Sequence, residues 1–185
     1  MFGEFDMLRR LAIATTAFLL FAAPSFGQEV KLNKEKSKID FLGKKADGKH
    51  AGGFKDFSAD AKVNWESPEK STLTIEIKTD SLWSDDAKLT DHLKNPDFFD
   101  VKKYGTIKFE STKIESGETE GKITGKLTML GKTGEITVPT KVEVADGELI
   151  IKAEFKVTRS KWGMTYGIPK VNDDVEITAT LHYDR

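Results

Sequence analysis

The sequence predicts an all-β fold of eight antiparallel strands joined by short turns, with one short helix between strands. Three observations lead to this prediction. Short segments of alternating apolar and polar residues recur from about residue 30 onwards, and a period of two is typical of half-buried strands. Glycine or acidic residues separate most of these segments, as turns require. A single segment, from Ser84 to Lys94, instead shows the spacing of a helix.

The eight predicted strands show the alternation to different degrees. It is plainest in the third strand, where Leu73, Ile75 and Ile77 share one face. Asp146-Gly147 predicts a two-residue type I′ hairpin, because both residue types accept the positive φ of that turn. Gly131-Lys132-Thr133 lacks the spacing of a phosphate-binding loop and is interpreted as a glycine turn that ends a strand. The strands are predicted at Val30 to Leu42, Gly53 to Trp65, Leu73 to Lys78, Thr106 to Ile114, Lys122 to Leu130, Ile136 to Val144, Glu148 to Val157 and Val175 to Tyr183.

The helix is predicted between Ser84 and Lys94. Leu89 and Leu93 are four residues apart, which places them on one helical face. Ser84 is the predicted N-cap, followed by two aspartates that favour the positive end of the helix dipole. Asn95-Pro96 ends the helix, because proline disfavours α geometry at the residue before it.

Periodicity alone leaves two architectures open for these strands. Eight antiparallel strands can stack as a sandwich or close into an up-and-down barrel. Closure removes exposed edges, and a barrel of eight strands holds either side chains or one small ligand. The twelve phenylalanines have the same two interpretations, as an ordinary packed core or as the lining of an apolar cavity in a closed barrel.

The first 27 residues are predicted to be a signal peptide. Arg9 and Arg10 precede an apolar run from Leu11 to Ala23 that is short for a membrane-spanning helix. We therefore expect a periplasmic or secreted protein with no stable membrane span after cleavage. Residues 28–185 then form one domain.

Composition argues against several classes of protein. The net charge of −1 argues against general nucleic-acid binding, and with no cysteine the chain has neither disulfides nor a lipid anchor on cysteine. Charged residues make up 32% of the sequence, mostly interleaved lysine and glutamate, which is typical of a solvated surface.

No convincing catalytic or metal site emerges from the sequence. His50, His92 and His182 do not have the spacing of zinc ligands on one helix or strand. A hydrolase triad of Ser111, His92 and Asp91 lacks the glycine-flanked nucleophile elbow. We therefore predict no catalytic residue, no metal and no cofactor, and expect His92 to contact a polar partner.

Two basic features have both a structural and a functional interpretation. Lys44, Lys45 and Lys49 crowd one loop, which is either simply solvated or able to meet an anionic headgroup. Arg159 follows a well-patterned strand near Trp162, and its guanidinium is expected to bind a carboxylate such as Asp173 or Asp174. That contact would serve equally as a structural lock or beside a ligand.

Several motifs spread over most of the chain resemble one known family. The densest stretch runs from Asp91 to Thr112, and the motifs are His92-Leu93, Phe98-Phe99-Asp100-Val101, Lys103-Tyr104, Phe109-x-Ser111-Thr112, Ser37-x-Ile39-x-Phe41, His50-x-Gly52-Gly53-Phe54, Thr79-Asp80-Ser81-Leu82, Ile123-x-Gly125-x-Leu127-Thr128, Gly131-Lys132-Thr133, Arg159-Ser160-x-x-Gly163-Met164 and Val175 to Leu181. Together they resemble the YceI-like family of periplasmic, lipocalin-like proteins that bind polyisoprenoid lipids. The sequence departs from the family at Lys36-Ser37, where many members have His-Ser.

The resemblance implies a lipocalin-like barrel whose apolar cavity encloses a polyisoprenoid or isoprenoid-quinone-type ligand for carriage or sequestration. It also implies a binding protein rather than an enzyme. Dimers occur in the family, although no residue here requires a homodimer. The predicted ligand-binding residues are Phe41, Phe54, Phe57, Ile75, Ile77, Phe98, Phe99, Phe109, Leu127, Met129, Phe155, Trp162, Met164, Ile177 and Leu181.

The sequence leaves two other functions open. The first is a cell-envelope interaction module, a β-sandwich without a ligand cavity. The second is a hydrolase or metal-dependent enzyme that uses His92 or His50.

Overall fold

The computed structural model describes residues 27–118 and 120–184, and all of the predicted signal peptide except Gly27 lies outside them. The described chain forms eleven strand segments and one α-helix. These are β1 (Gln28–Leu32), β2 (Lys38–Lys45), β3 (Gly48–Phe54), β4 (Phe57–Val63), β5 (Thr72–Lys78), β6 (Leu82–Ser84), α1 (Ala87–Leu93), β7 (Thr106–Ser116), β8 (Glu120–Met129), β9 (Lys132–Ala145), β10 (Glu148–Thr158) and β11 (Asp174–Asp184). Short 3-10 helices lie at Pro68–Lys70, Thr79–Ser81 and Arg159–Trp162.

The eleven segments occupy eight positions in one antiparallel sheet. β1 and β2 follow each other along the same side of β11. β4 continues from β3, so that β1 pairs with β4 and β2 with β3. β5 then pairs with β4, and β6 with β3. The predicted class, eight antiparallel positions with one short helix, is confirmed, but the first three positions each consist of two segments.

At each of the three breaks, the alternation of inward-pointing and outward-pointing residues shifts by one position. The residues on either side of a break are both buried, yet they are an odd number of positions apart. In an unbroken strand, one member of each pair would point to the outer face. The break therefore keeps both side chains in the core. The pairs are Val30 and Ile39, Phe54 and Phe57, and Ile77 and Leu82.

A seam between the first and last strands closes the sheet. Lys31 is paired with Asp184, and Leu32 with Tyr183, so β1 joins both β4 and β11. The sheet is therefore a barrel, and the β-sandwich alternative is wrong.

The helix is shorter than predicted, and its N-cap is Asp86 rather than Ser84. The Asp86 carboxylate accepts a hydrogen bond from Leu89 N at 2.8 Å, which satisfies a free amide of the first helical turn. Ser84 instead ends β6, and its hydroxyl donates to Asp86 O. The helix ends at Leu93, with Lys94 as C-cap just before Asn95-Pro96.

The predicted turns are present at two hairpins. Asp146 and Gly147 have φ values of 51° and 79°, as a type I′ turn requires. The Gly131 turn lies between β8 and β9, also with positive φ. The lysine-rich segment differs from the prediction, because Lys44 and Lys45 end β2 and Lys49 lies in β3, which makes it a hairpin rather than a loop.

Buried side chains fill the interior of the barrel at the end where β10 begins and β11 ends, which we call the floor. Tyr183 is fully buried there and is paired with Leu149, which is 4% exposed. Within the described residues, no helix is both long and apolar enough to cross a membrane.

Candidate functional site

An apolar cavity of about 350 Å³ runs down the barrel from the end where β10 stops. This volume lies within the usual range for small-molecule sites. On β11 the cavity is lined by Val175, Ile177, Ala179 and Leu181, and it stops before Tyr183. It is therefore open towards one end of the barrel, which we call the mouth, and closed by the floor at the other.

A row of small residues makes room for the cavity on one wall. Across neighbouring strands, Gly121 pairs with Thr140, Thr140 with Ala153, and Ala153 with Ala179. Three of these, Thr140, Ala153 and Ala179, line the cavity. Because cores are otherwise filled by larger side chains at native density, a row of small side chains leaves the lumen open.

Two glycines let phenylalanine rings lie along the wall. A Cβ atom at Gly52 would lie 2.4 Å from Cζ of Phe41, which is on the neighbouring strand. A Cβ atom at Gly125 would lie 2.5 Å from Cζ of Phe109. Each ring therefore lies over the bare backbone of the next strand, where a larger residue would displace it.

Thirteen of the fifteen predicted ligand-binding residues line this cavity, and whether they bind a ligand stays a prediction. They are Phe41, Phe54, Ile75, Ile77, Phe98, Phe99, Phe109, Leu127, Met129, Phe155, Met164, Ile177 and Leu181. The structure places the other two outside the lining. Phe57 is buried beside the break between β3 and β4, where it lines a separate groove together with Lys55 and Trp83. Trp162 is 3% exposed and donates from Nε1 to Leu127 O at 3.1 Å.

Sequence reasoning missed other lining residues, most of which had a detectable signal. Many lie two or four residues from a predicted one on the same strand and so share its face. These are Ile39, Leu73, Ile107, Ile123, Ile151, Ala153, Val157, Val175 and Ala179. Ile136, Val138 and Thr140 come from β9, which contains no predicted ligand-binding residue.

Aromatic side chains close part of the mouth. Phe99 meets Phe54 edge-on at 5.7 Å between ring centroids. His92 of α1 lies edge-on to both Phe98 and Tyr166, each at 5.0 Å. The contacts join α1, residues 94–105 and the segment after Trp162 into one cover. As predicted, His92 also contacts a polar group, with Nε2 2.9 Å from Asp97 Oδ2.

A histidine–aspartate hydrogen bond and a lysine–glutamate ion pair hold the β2–β3 hairpin at the mouth. His50 Nδ1 lies 2.8 Å from Asp85 Oδ1, which connects β3 to the residues before α1. The Ala51 amide, and then His50, donate to Asp85 and hold the pKa of that carboxyl below its usual range. Lys44 Nζ donates to Glu176 at 2.6 Å and lowers the pKa of Glu176 in the same way.

Arg159 differs from its prediction. Its guanidinium binds three backbone carbonyls, those of Asn172, Met164 and Val171, at 3.0, 3.0 and 3.2 Å. Among the described residues, no carboxylate oxygen forms a salt bridge with it. Asp173 accepts hydrogen bonds from Ser160 N and Oγ, and Asp174 accepts one from Thr158. The expected ion pair is therefore wrong, because the chain after Met164 turns its carbonyls, and not these carboxylates, towards the guanidinium.

The residues considered for catalysis have other contacts. Ser111 Oγ accepts a hydrogen bond from Leu73 N at 2.9 Å, within the sheet. His182 Nδ1 lies 3.5 Å from Glu148 Oε2, near the floor. Within residues 27–118 and 120–184, no group of three His, Asp or Glu side chains could hold a metal ion.

The Ser160–Asp173 contact gives a testable pH dependence. Hydrogen bonds from the Ser160 hydroxyl, at 2.5 Å, and from its amide lower the pKa of Asp173. In the unfolded chain, the carboxyl titrates near its ordinary value of about 3.9. Its contribution to stability is therefore complete above about pH 4 and is lost as the pH falls through the lower folded-state pKa.

We expect Asp173→Asn to lower the free energy of unfolding at pH 6 and to have a much smaller effect at pH 2.5. Urea unfolding at both values measures this difference. Ser160→Ala is the matched control and should raise the pKa of Asp173 in an NMR titration. An equal loss of unfolding free energy at both pH values would contradict this role of the Asp173 carboxylate.

Comparison with known proteins agrees with this architecture. The model of the YceI-like domain family matches residues 31–183. A UPF0312 protein of Pseudomonas putida strain GB-1 is 40% identical over 135 residues, which cover 68% of each chain. One from Pseudomonas fluorescens strain SBW25 is 37% identical over 139 residues, covering 70% of this chain and 69% of the relative.

Solved structures share the fold. The crystal structure of Burkholderia cenocepacia BcnA matches with a TM-score of 0.77 at 27% identity, covering 82% of this chain and 99% of BcnA. A polyisoprenoid-binding domain from Saccharophagus degradans matches with a TM-score of 0.68 at 11% identity, covering 85% of this chain and 98% of that domain. The chain therefore belongs to the YceI-like domain family.

Proposed function

We propose that this protein is an exported, non-enzymatic binding protein that encloses a polyisoprenoid or isoprenoid-quinone-type chain inside its barrel, for carriage or sequestration. The observation that carries the proposal is the long apolar lumen. Its walls are aliphatic and aromatic side chains, while the polar lining residues except Thr140 belong to the mouth. Such a lumen accepts a hydrocarbon chain lengthwise and leaves a polar end near solvent.

The energetics favour a long apolar ligand over a small polar one. Each buried methylene contributes about 0.8 kcal/mol, so a chain of several isoprene units binds with few polar contacts. Packed interiors contain few voids larger than a water molecule, and an open apolar lumen therefore suits an apolar guest. The fold shared with the polyisoprenoid-binding domain from S. degradans supports the same class of ligand.

The predicted leader supports export and a periplasmic or secreted location, since a lipid of this kind needs a carrier to cross water. His50 and His92 each pair with one aspartate at the mouth, and these pairs help to position the cover of the cavity. A binding role needs neither residue as an acid or base.

Lipid extraction from protein purified out of its own host tests the proposal. Native mass spectrometry should show an added mass that disappears under denaturing conditions, and the extract should contain an isoprenoid. Delipidated protein should also take up farnesol or an isoprenoid quinone, as measured by tryptophan fluorescence. Protein that carries no apolar ligand and binds neither probe would sink the proposal.

A further inference from the structure

The basic residues of this chain are divided unequally between two residue types. Arg159 is the only arginine in the sequence from residue 28 to residue 184, where the other permanently charged basic residues are lysines. The lysines of the sheet lie mainly on its outer, solvated face, whereas Arg159 is 3% exposed. A guanidinium is the cation best suited to a buried site, because it is weakly hydrated and binds in a planar fork.

The contacts of Arg159 satisfy its hydrogen bonds only in part and include no direct contact with an anion. Three carbonyl bonds use three of its five N–H donors. Carbonyls carry no net charge. The Asp173 carboxylate acts on the guanidinium through its charge alone, without a direct contact. A buried cation without an anion in direct contact is costly. Burial lowers the pKa of Arg159, and the charge of Asp173 offsets this effect only in part.

Arg159 also belongs to the wall of the lumen. It lines the cavity together with Asn172 and with Lys44 and Lys45 of β2. Asn172 N donates to Lys44 O, and Val171 forms a bridge with Lys45, so these residues are joined at one point of the mouth. Lys44 and Lys45 already have the carboxylates of Glu176 and Asp47 as partners.

We propose that the ligand of this barrel carries an anionic oxyacid headgroup, a phosphate or a carboxylate, and that Arg159 binds it at the mouth while the apolar chain fills the lumen. This proposal rests on the function proposed above. The two remaining N–H donors supply charge-assisted bonds to the anion, which neutralises the guanidinium. A neutral headgroup would accept a hydrogen bond and leave the charge uncompensated.

A matched ligand series tests the headgroup. Delipidated protein from the full chain is titrated with farnesol, farnesyl phosphate and farnesoic acid, which share one hydrocarbon chain. We expect at least one of the two anions to bind with a Kd at least ten-fold below that of farnesol. Comparison of the two anions distinguishes a phosphate site from a carboxylate site. Equal affinity for all three would overturn the headgroup proposal and leave lipid binding intact, whereas no binding of any would overturn lipid binding itself.

Substitutions test whether Arg159 causes the preference for an anionic headgroup. Arg159→Met should reduce the ratio of farnesol to anion Kd values towards one, and Arg159→Lys should retain part of it. Lys161→Met, an exposed lysine in the same 3-10 helix, should keep the full ratio. A preference that persists in Arg159→Met would overturn the assignment.

If the Arg159 variants do not fold, the Arg159 Nε–Hε NMR signal of the unmodified protein provides the same test. The anion should shift it and farnesol should not. An unchanged signal with bound anion would show that Arg159 is only a structural lock.

Discussion

Replacing Ala153 by tryptophan should largely prevent lipid binding while the barrel stays folded. Ala153 lies in the middle of the small-residue row, paired with Thr140 on one side and Ala179 on the other. An indole there projects into open lumen and takes the place of the ligand chain. If it excludes about three methylenes, the loss is about 2.4 kcal/mol, or about 60-fold in Kd.

Farnesol titration and native mass spectrometry measure this effect, and thermal unfolding checks that the variant folds. Ala145→Trp is the matched control, since Ala145 is exposed at the end of β9. Ala179→Leu should give a smaller loss in the same direction. Wild-type affinity in Ala153→Trp would mean that the ligand lies outside the barrel.

The largest expected loss of stability is at Trp162. The indole is buried against the backbone of Gly134 and donates to Leu127 O, and these two residues are paired across β8 and β9. Replacing a buried tryptophan by alanine costs about 3–5 kcal/mol, which is a large part of the total stability of a typical domain. We therefore expect Trp162→Ala to be barely folded at 37 °C.

Trp162→Phe separates packing from the hydrogen bond. It retains most of the ring and loses the bond to Leu127 O, which should cost about 1–2 kcal/mol in urea unfolding. Because Trp162 lies outside the cavity lining, farnesol affinity should stay within about two-fold of the wild type. A large loss of affinity with unchanged stability would show instead that the indole contacts the ligand, as the sequence suggested.

Much of the fold could be predicted because alternation reports directly which side chains face the core. Leu73, Ile75 and Ile77 show this on β5, where all three line the cavity. The strand breaks were missed although the sequence carries their signal. Phe54 and Phe57 are both large and apolar but three residues apart, and no unbroken strand places both on one face.

The candidate site was less predictable because its details depend on how the loop path brings distant residues together. Arg159 has aspartates 14 and 15 residues later in the sequence, and a carboxylate partner was the natural expectation. Its actual partners are carbonyl groups, whose directions are set by the path of residues 164–172 and leave no mark on residue type. The size of the lumen likewise depends on three small residues, Thr140, Ala153 and Ala179, meeting side by side in register.

The seam between β1 and β11 has a consequence for how the chain folds. It pairs residues near position 30 with residues near position 184, so the ring of strands closes only after β11 has been synthesised. Until then, the edge of β1 that pairs with β11 stays unpaired. Contacts of such long sequence separation also make folding intrinsically slow, in the range of milliseconds to seconds for all-β domains. Loss of β11 would leave β10 on one side, and β1 and β2 on the other, as open edges, the kind of surface through which β proteins aggregate.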